Sequence, residues 1–352
     1  MKETSKILIV GQGLAGTILS HKLLQKNISI RIIDKGHEGT SSSLAAGVIN
    51  PVTGRRIVKS WMIDELLPVA KHYYLKTGQE LGFNLWHELP SLRLFADIGM
   101  SNNWGVRMKN EGYGQYLDFL ETEKLAPFPV KASFGVGIIH HSGRSNITKM
   151  ITTFRKKWLQ AGILVEENFQ HDALTQDKEK LFYQGESYDK IIFCEGWEAM
   201  NNPLFKDLPF QVTKGEVLIL RIPNMPEKNI IKKKVALVPL GDATFWAGAT
   251  NNWDFEDAIP SQEGKNWLET EVETIIDGPY EILAHRAAIR PTIRHRRPLI
   301  GFPKTIEGNA TKPQIGIFNG FGTKGTSLVP FWADRFVDFL CNDVAMSDDV
   351  HV

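Results

Sequence analysis

Residues 7–34 read ILIVGQGLAGTILSHKLLQKNISIRIID, which predicts a strand, a glycine turn, a helix, a second strand and a terminal acid. Residues 7–10 are a buried-strand run. Leu14, Ala15, Ile18, Leu19 and Leu23 recur at helical spacing, and residues 28–33 form a β-branched run suited to a second strand. Each glycine has a separate task in such a unit. Gly11 permits the tight turn out of the strand, Gly13 lets backbone approach a pyrophosphate, and Gly16 lets helix and sheet pack closely. The helix N-terminus then presents free N–H groups and a positive dipole end, which attract anions without Lys or Arg. Asp34 stands where a carboxylate accepts a hydrogen bond from a ribose 2′-hydroxyl.

The spacing alone would mean little, because 30 glycines in 352 residues produce such triplets in ordinary turns. The flanking strand and helix patterns give it weight. The length suggests two domains, or one large domain with an inserted lobe. Lys plus Arg total 41 against 40 for Asp plus Glu, so global charge gives no push toward nucleic acid or a membrane. Two cysteines, Cys194 and Cys341, are too few and too distant for a zinc site or disulfide framework, so no metal is expected. The first apolar run leads directly into the glycine turn, which fits neither a secretion leader nor a membrane span and makes a cytoplasmic location the expectation.

After Asp34 comes KGHEGTSSSLAAGVINPVTGRR. Its residues 41–43 could contact phosphates and its residues 45–47 could let a flat ring lie against backbone, or the stretch is a plain surface loop. Residues 59–81 read as a helix and residues 146–160 as another. The latter is followed by strand-like GILVEE and by YDKIIFCEG, a strand ending in Gly196. FQVTKGEVLILRI, VALVPLG and TFWAGAT, within residues 210–250, suit an antiparallel sheet, and residues 261–277 a helix. The pattern is interleaved. Residues 1–82, 140–205 and 289–352 are predicted to form a nucleotide-binding domain, with residues 83–139 and 206–288 as a second, inserted lobe.

Near the C-terminus, IGIFNGFGTKG before SLVPFWADRFVDFL repeats the opening logic of strand, glycine turn and helix. Pro330 suits the first turn of that helix. The turn either directs a second helix dipole at a ligand or merely packs the last helix. Just before it, RPTIRHRRPLIG contributes to a group of Arg286, Arg290, Arg294, Arg296 and Arg297. These read as a solvated face, a nucleic-acid patch, or a set containing one arginine that grips a carboxylate bidentately. Solvent suits most of the five. Arg290 differs in being followed by proline, which fixes extended backbone beside it.

Taken in order, VGQGLAG with Asp34, SSSLAAGV, VTKGEVLIL, WAGAT, RPTIRHRRPLIG and NGFGTKGTSLVP resemble the D-amino-acid oxidase and glycine oxidase family of FAD-dependent oxidoreductases. The resemblance implies an α/β fold: a Rossmann-like FAD-binding domain with a mostly parallel sheet, plus an inserted α+β substrate domain with a mixed, largely antiparallel sheet. It implies FAD with its ADP half at the first glycine turn and its ring between the lobes. Gly11, Gly13, Leu14, Ala15 and Gly16 would then meet the pyrophosphate, and Asp34 and Lys35 the ribose. Ser41, Ser42, Ala46, Gly47 and Val48 would line the path to the flavin. Phe169, through its backbone, would contact the adenine side, and Gly196 would also contact the cofactor. Phe321, Gly322, Thr323, Lys324, Gly325, Thr326 and Ser327 would wrap the flavin pyrimidine edge. Arg290 matches the arginine that holds the substrate carboxylate, so a small amine or amino acid is the implied partner, oxidised at a C–N bond by hydride transfer to flavin N5.

The chain also departs from the family pattern. Residues 235–239 read VALVP, without the tyrosine that precedes the corresponding strand in glycine oxidases. Trp246 or Trp253 could line the cavity instead, or pack in the core. No equivalent of a covalent flavin attachment is present, which implies dissociable FAD. The flavin domain of the tRNA wobble-uridine modifying enzyme is a second resemblance, with a GSRG turn where this chain has GTKG. In that reading the arginines and residues 232–234 would hold phosphates. A non-catalytic flavin-binding scaffold is the third.

Overall fold

The computed structural model describes residues 6–303, 314–342, 344–350 and 352. Residues 1–5, on which the expected absence of a leader partly rests, lie outside the described residues. The chain divides into two compact units. The first comprises Met1–Ala45, Ile147–Thr213 and Ile289–Val352, and the second Ala46–Asn146 and Lys214–Ala288. Residues 46–82 and 140–146, expected in the nucleotide-binding domain, thus group with the second unit, and residues 206–213, expected in the inserted lobe, group with the first.

The first unit is built on a six-stranded sheet in the order Leu164–Val165, Ser29–Ile33, Lys6–Val10, Lys190–Phe193, Ile315–Asn319, Leu299–Gly301. Its pairs are parallel except the last, which is antiparallel. Ile7, Leu8, Ile9 and Val10 are all buried, as are all five residues of Ile315–Asn319, because both faces of a parallel sheet are covered. One face packs Leu8, Val10, Ile191, Phe193, Ile315 and Ile317 with Phe205. The helices Leu14–Gln25 and Gly325–Asn342 run side by side in the same direction. A Cβ built on Gly325 would lie 3.1 Å from Leu14 Cδ2, and Lys22 Nζ pairs with Asp334 Oδ1 at 2.5 Å. Their positive ends therefore meet. Pro330 is not in the first turn as expected. The glycine-rich turn is itself helical over Gly322–Lys324, so the helix starts at Gly325 and Pro330 falls inside it.

The second unit carries an eight-stranded sheet in the order Glu281–Arg290, Thr213–Arg221, Thr244–Gly248, Ala236–Gly241, Ile230–Lys232, Ser91–Leu94, Val136–Ile139, Leu117–Phe119. Ile230–Lys232 and Ser91–Leu94 pair in parallel, while the other registered pairs are antiparallel, so the sheet is mixed as expected. Alternation sorts its two faces. Leu92, Leu94, Leu218, Leu220, Ile231, Leu237 and Phe245 pack under Leu268 and Val272 of the helix Gln262–Glu273. Ile230 and Val238 point the other way, against Ala46, Leu89, Val48 and Trp246. The helix expected over residues 59–81 is shorter, Ile63–Leu81, because Val58–Lys59 pairs with Val52–Thr53 as a hairpin. The helix expected over 261–277 stops at Glu273, where Ile275 and Ile276 turn into the core.

Candidate cofactor and substrate site

The first glycine turn is held by close backbone contacts. Gly11 has φ +97°, its N–H donates to the Ile33 carbonyl at 2.8 Å, and an added Cβ would stand 2.6 Å from the Cys194 carbonyl oxygen. A Cβ on Gly16 would fall 1.9 Å from the Gly11 carbonyl oxygen. Gly13 is the residue before the helix and offers no side-chain cap. Ser42 comes from the short helix Ser41–Leu44, and its Oγ accepts from Leu14 N at 3.0 Å. The structure thus brings Ser42 to the helix N-terminus.

Asp34 is 22 residues beyond Gln12, whose N–H donates to its Oδ2 at 2.7 Å, while Gly36 N–H donates to Oδ1 at 2.9 Å. Sequence reasoning missed its third partner. Arg155, on the helix Ile147–Gln160, donates through Nη1 to Asp34 Oδ1 at 2.6 Å and to Gln12 Oε1 at 3.1 Å. Its Nη2 also donates to Glu166 Oε2 at 2.7 Å. A separation of 121 residues left no local signal for this pairing. His37 Nε2 lies 2.9 Å from the Gln12 carbonyl oxygen, and burial holds its pKa below the ordinary value despite Asp34. A carboxylate has about four lone-pair sites. Three are used, which leaves Oδ2 one acceptor position for a ribose hydroxyl. Together with a helix start where Gly13 supplies no side-chain cap and Ser42 stands beside Leu14 N, this fits the ADP half of FAD. Lys35 is tied to Glu198 at 2.6 Å on the surface.

Around the turn, Cys194 is buried and burial pushes its thiol well up, so it has no thiolate character at neutral pH. Glu195 follows, with its carboxyl raised to about 7 by burial, and accepts from Asn202 Nδ2 at 2.8 Å. Gly196 opens the turn Gly196–Asn201, and its carbonyl accepts from Asn319 Nδ2 at 2.8 Å. The Phe169 ring stacks on Tyr183 at 4.5 Å and meets Phe193 edge-on at 5.3 Å, so its side chain is committed to an aromatic cluster.

At the other end of the chain Asn319 Oδ1 accepts from Gly320 N at 2.7 Å, and Gly322 N donates to the Pro291 carbonyl at 3.2 Å. That last bond fastens the second glycine turn to the bend that carries Arg290. Thr292 N closes the bend on the Arg290 carbonyl at 2.8 Å. Arg290 ends the strand Glu281–Arg290 and is half-buried, and burial lowers its pKa. Arg286, Arg294 and Arg296 are exposed, and Arg297 is half-buried. Phe321 is buried against Phe318 at 4.8 Å. Thr323, Lys324, Gly325 and Thr326 continue the turn into the final helix, and Ser327 Oγ donates to the Lys324 carbonyl at 3.1 Å.

Ala46, Gly47 and Val48 belong to the second unit. Arg144 Nε donates to the Ala46 carbonyl at 3.2 Å, Ser145 N donates to the Gly47 carbonyl at 2.8 Å, and Val48 pairs with Arg144. Trp246 is partly buried beside them, while Trp253 is 49% exposed, so only Trp246 packs with this cluster. Lys233 Nζ donates to the Thr274 carbonyl and Lys234 pairs with Glu271 at 2.6 Å, so neither is a free cation. Among the described residues no helix is long and apolar enough to cross a membrane.

The family model for FAD dependent oxidoreductases (DAO) matches residues 6–338. A glycine oxidase of Pseudomonas putida is 20% identical over 362 residues, covering 96% of this chain and 94% of its own length. The crystal structure of iminodiacetate oxidase from Chelativorans sp. BNC1 superposes with a TM-score of 0.77 at 19% identity, covering 98% of both chains. Glycine oxidase from Geobacillus kaustophilus gives 0.78 at 19%, covering 98% of this chain and 96% of that one.

Proposed function

Because this chain belongs to the FAD dependent oxidoreductase family, we propose that it oxidises the C–N bond of a small amine or amino acid whose carboxylate Arg290 holds. FAD, when bound, supplies the acceptor for the hydride that leaves the carbon next to nitrogen. The nitrogen lone pair closes the C=N bond, and water then hydrolyses the imine to a carbonyl compound and an amine or ammonia. The protein's share is orientation, since no general base is needed when the amine is neutral.

The observation that carries this reading is the bond from Gly322 N to the Pro291 carbonyl. It couples the carboxylate-binding arginine to the turn assigned to the flavin edge, so that a donor held by Arg290 is fixed relative to the acceptor. Gly11, Gly13, Leu14, Ala15, Gly16, Ser42 and Asp34 would hold the ADP half. Gly196 and the turn from Phe321 to Thr326 would hold the rest. The glycine oxidase and iminodiacetate oxidase likenesses support an amine donor. The nearly balanced charge, with one surplus cation over the whole chain, favours a small molecule over tRNA.

The test is anaerobic mixing of the yellow holoprotein with glycine, N-methylglycine and a series of D- and L-amino acids. Flavin absorbance should bleach with at least one. Arg290→Met should raise KM for that donor about a hundredfold, the scale of a lost charge-assisted pair, while dithionite still bleaches the variant. A panel that never bleaches the flavin would remove the amine class.

A further inference from the structure

Arg155, which meets Asp34 from the helix Ile147–Gln160, has no N–H to spare. Its Nε and Nη2 donate to Glu166 Oε2 at 3.2 and 2.7 Å, and Nη2 also donates to the Asp34 carbonyl at 3.3 Å. Its Nη1 donates to Asp34 Oδ1 at 2.6 Å and to Gln12 Oε1 at 3.1 Å. These contacts use every N–H of the guanidinium. A further approach, Nη1 to His37 Nε2 at 3.5 Å, is not a bond. That ring nitrogen lies 2.9 Å from the Gln12 carbonyl, which only accepts, so it carries a proton of its own.

The acceptors belong to separate pieces of the first unit. Asp34 follows the strand Ser29–Ile33, Gln12 is the middle residue of the first glycine turn, and Glu166 follows the strand Leu164–Val165. Gln12 is wholly buried and passes the constraint on, since its Nε2 donates to Thr17 Oγ1 at 3.0 Å and to the Ile151 carbonyl at 3.2 Å. The side chains of Arg155 and Asp34 are 12% and 10% exposed, so solvent screens their pair little. An arginine at the ribose end of a dinucleotide pocket ordinarily accommodates a 2′-phosphate. Arg155 has nothing left to donate to one.

Resting on the assignment of this turn to the ADP half of FAD, we propose that Arg155 is the positioning residue of the ribose pocket and not a phosphate ligand. It braces Asp34 so that the open lone pair of Oδ2 meets the 2′-hydroxyl of an unphosphorylated adenosine. Without the brace, only the N–H groups of Gln12 and Gly36 hold the carboxylate. It then stays at the turn but is free to rotate away from the ribose.

The test titrates the flavin-free full chain with FAD, followed by flavin fluorescence, and displaces the FAD with ADP, 2′-deoxy-ADP, AMP and adenosine 2′,5′-bisphosphate. The wild type should bind ADP about tenfold more tightly than 2′-deoxy-ADP, the scale of one hydrogen bond to a charged acceptor. Arg155→Met should weaken ADP about tenfold and bring the two nucleotides within about threefold of each other, whereas a residue serving the fold alone would weaken both alike. Arg155→Lys keeps a charge beside Asp34 without the bridge to Gln12 and Glu166, so it should recover the discrimination only in part. Unfolding midpoints check that both variants fold. The wild type also decides without any variant. Adenosine 2′,5′-bisphosphate should compete less well than AMP, and tighter binding of the bisphosphate would make Arg155 a phosphate clamp and overturn the proposal. A discrimination unchanged in Arg155→Met, or fully recovered in Arg155→Lys, would overturn the brace and leave the cofactor assignment standing. A wild type that binds FAD but treats ADP and 2′-deoxy-ADP alike, or that binds neither FAD nor ADP, would remove Asp34 from the ribose and the proposal with it.

Discussion

At the first glycine turn the crowding atoms are backbone, whereas at the second most are side chain. Gly11 and Gly16 face the backbone carbonyl oxygens of Cys194 and Gly11, at 2.6 and 1.9 Å from an added Cβ. Gly320 faces Ile293 Cγ1 at 2.6 Å, Gly322 has only Thr292 at 3.8 Å, and Gly325 faces the end of Leu14 at 3.1 Å. Side chains can change rotamer, but a backbone carbonyl moves only if the turn that carries it moves. Both turns set a helix N-terminus toward the same end of the sheet. The first is sterically obligatory and the second has slack.

The largest effect expected from this difference is at Gly16. Gly16→Ala should lower stability by about 4 kcal/mol, the upper range for a single substitution, and yield little yellow protein. Urea unfolding of the apoprotein and the flavin-to-protein absorbance ratio measure it. A stable holoprotein would break the comparison at its strongest point. Gly320→Ala comes next. Its φ of +80° disfavours any Cβ, and Ile293 must shift, for a loss of about 2 kcal/mol. FAD should still copurify. An unfolding midpoint as low as that of Gly16→Ala would show that the second turn has no slack after all.

Much of this was legible in the chain because the constraints are local. Residues 7–34 carry strand, turn, helix and acid in one stretch, and the structure follows it to within one residue at the first two elements. What could not be read was pairing at long range. Arg155 reaches Asp34 across 121 residues, and nothing in the periodicity of its helix distinguishes it from a solvated arginine. The same holds for Lys232 and Arg93, which are neighbours only because two strands pair in parallel. The boundary between the units was misplaced for a related reason: residues 46–49 join the second unit through pairing with Gly143–Ser145, a contact invisible to local pattern. Pro330 misled because a proline inside a helix reads like one at its start.

Glu195 sharpens the comparison through pH. Its backbone nitrogen would lie 3.2 Å from a Cβ on Gly11, so it is part of the wall of the first turn, and the second turn has no counterpart to it. Burial raises its carboxyl from 4.5 to about 7, Glu198 adding to the rise against the bond from Asn202. Between those values the unfolded chain releases the proton that the folded chain keeps. Stability should therefore be full below the unfolded value, decline as pH climbs, and level off once the folded group has ionised. Glu195→Gln keeps an acceptor for Asn202 and removes the titration. Unfolding midpoints of the two proteins measured from about pH 4 to about pH 9 should diverge across that window. Parallel profiles would show that Glu195 ionises freely and that the wall is more open than its packing indicates.

The smallest effect is expected at Gly325, and its smallness is informative. Here φ is −52°, already helical, so alanine adopts the backbone without strain and restricts the unfolded chain, a gain of about 0.4–1 kcal/mol. Against this stands the contact with Leu14 Cδ2, which a rotation of one leucine branch relieves. The two terms are similar in size, so Gly325→Ala should leave the unfolding midpoint nearly unchanged. Leu14 also follows the Gly13 helix start, however, and turning its side chain shifts the seam where the two helix N-termini meet. The readout that separates these is the FAD dissociation constant measured beside stability. Unchanged stability with FAD bound several times more weakly would mean that Gly325 is glycine for the cofactor and not for the fold. A drop in both, on the scale of Gly16→Ala, would mean that the helix seam is as rigid as the backbone contacts of the first turn.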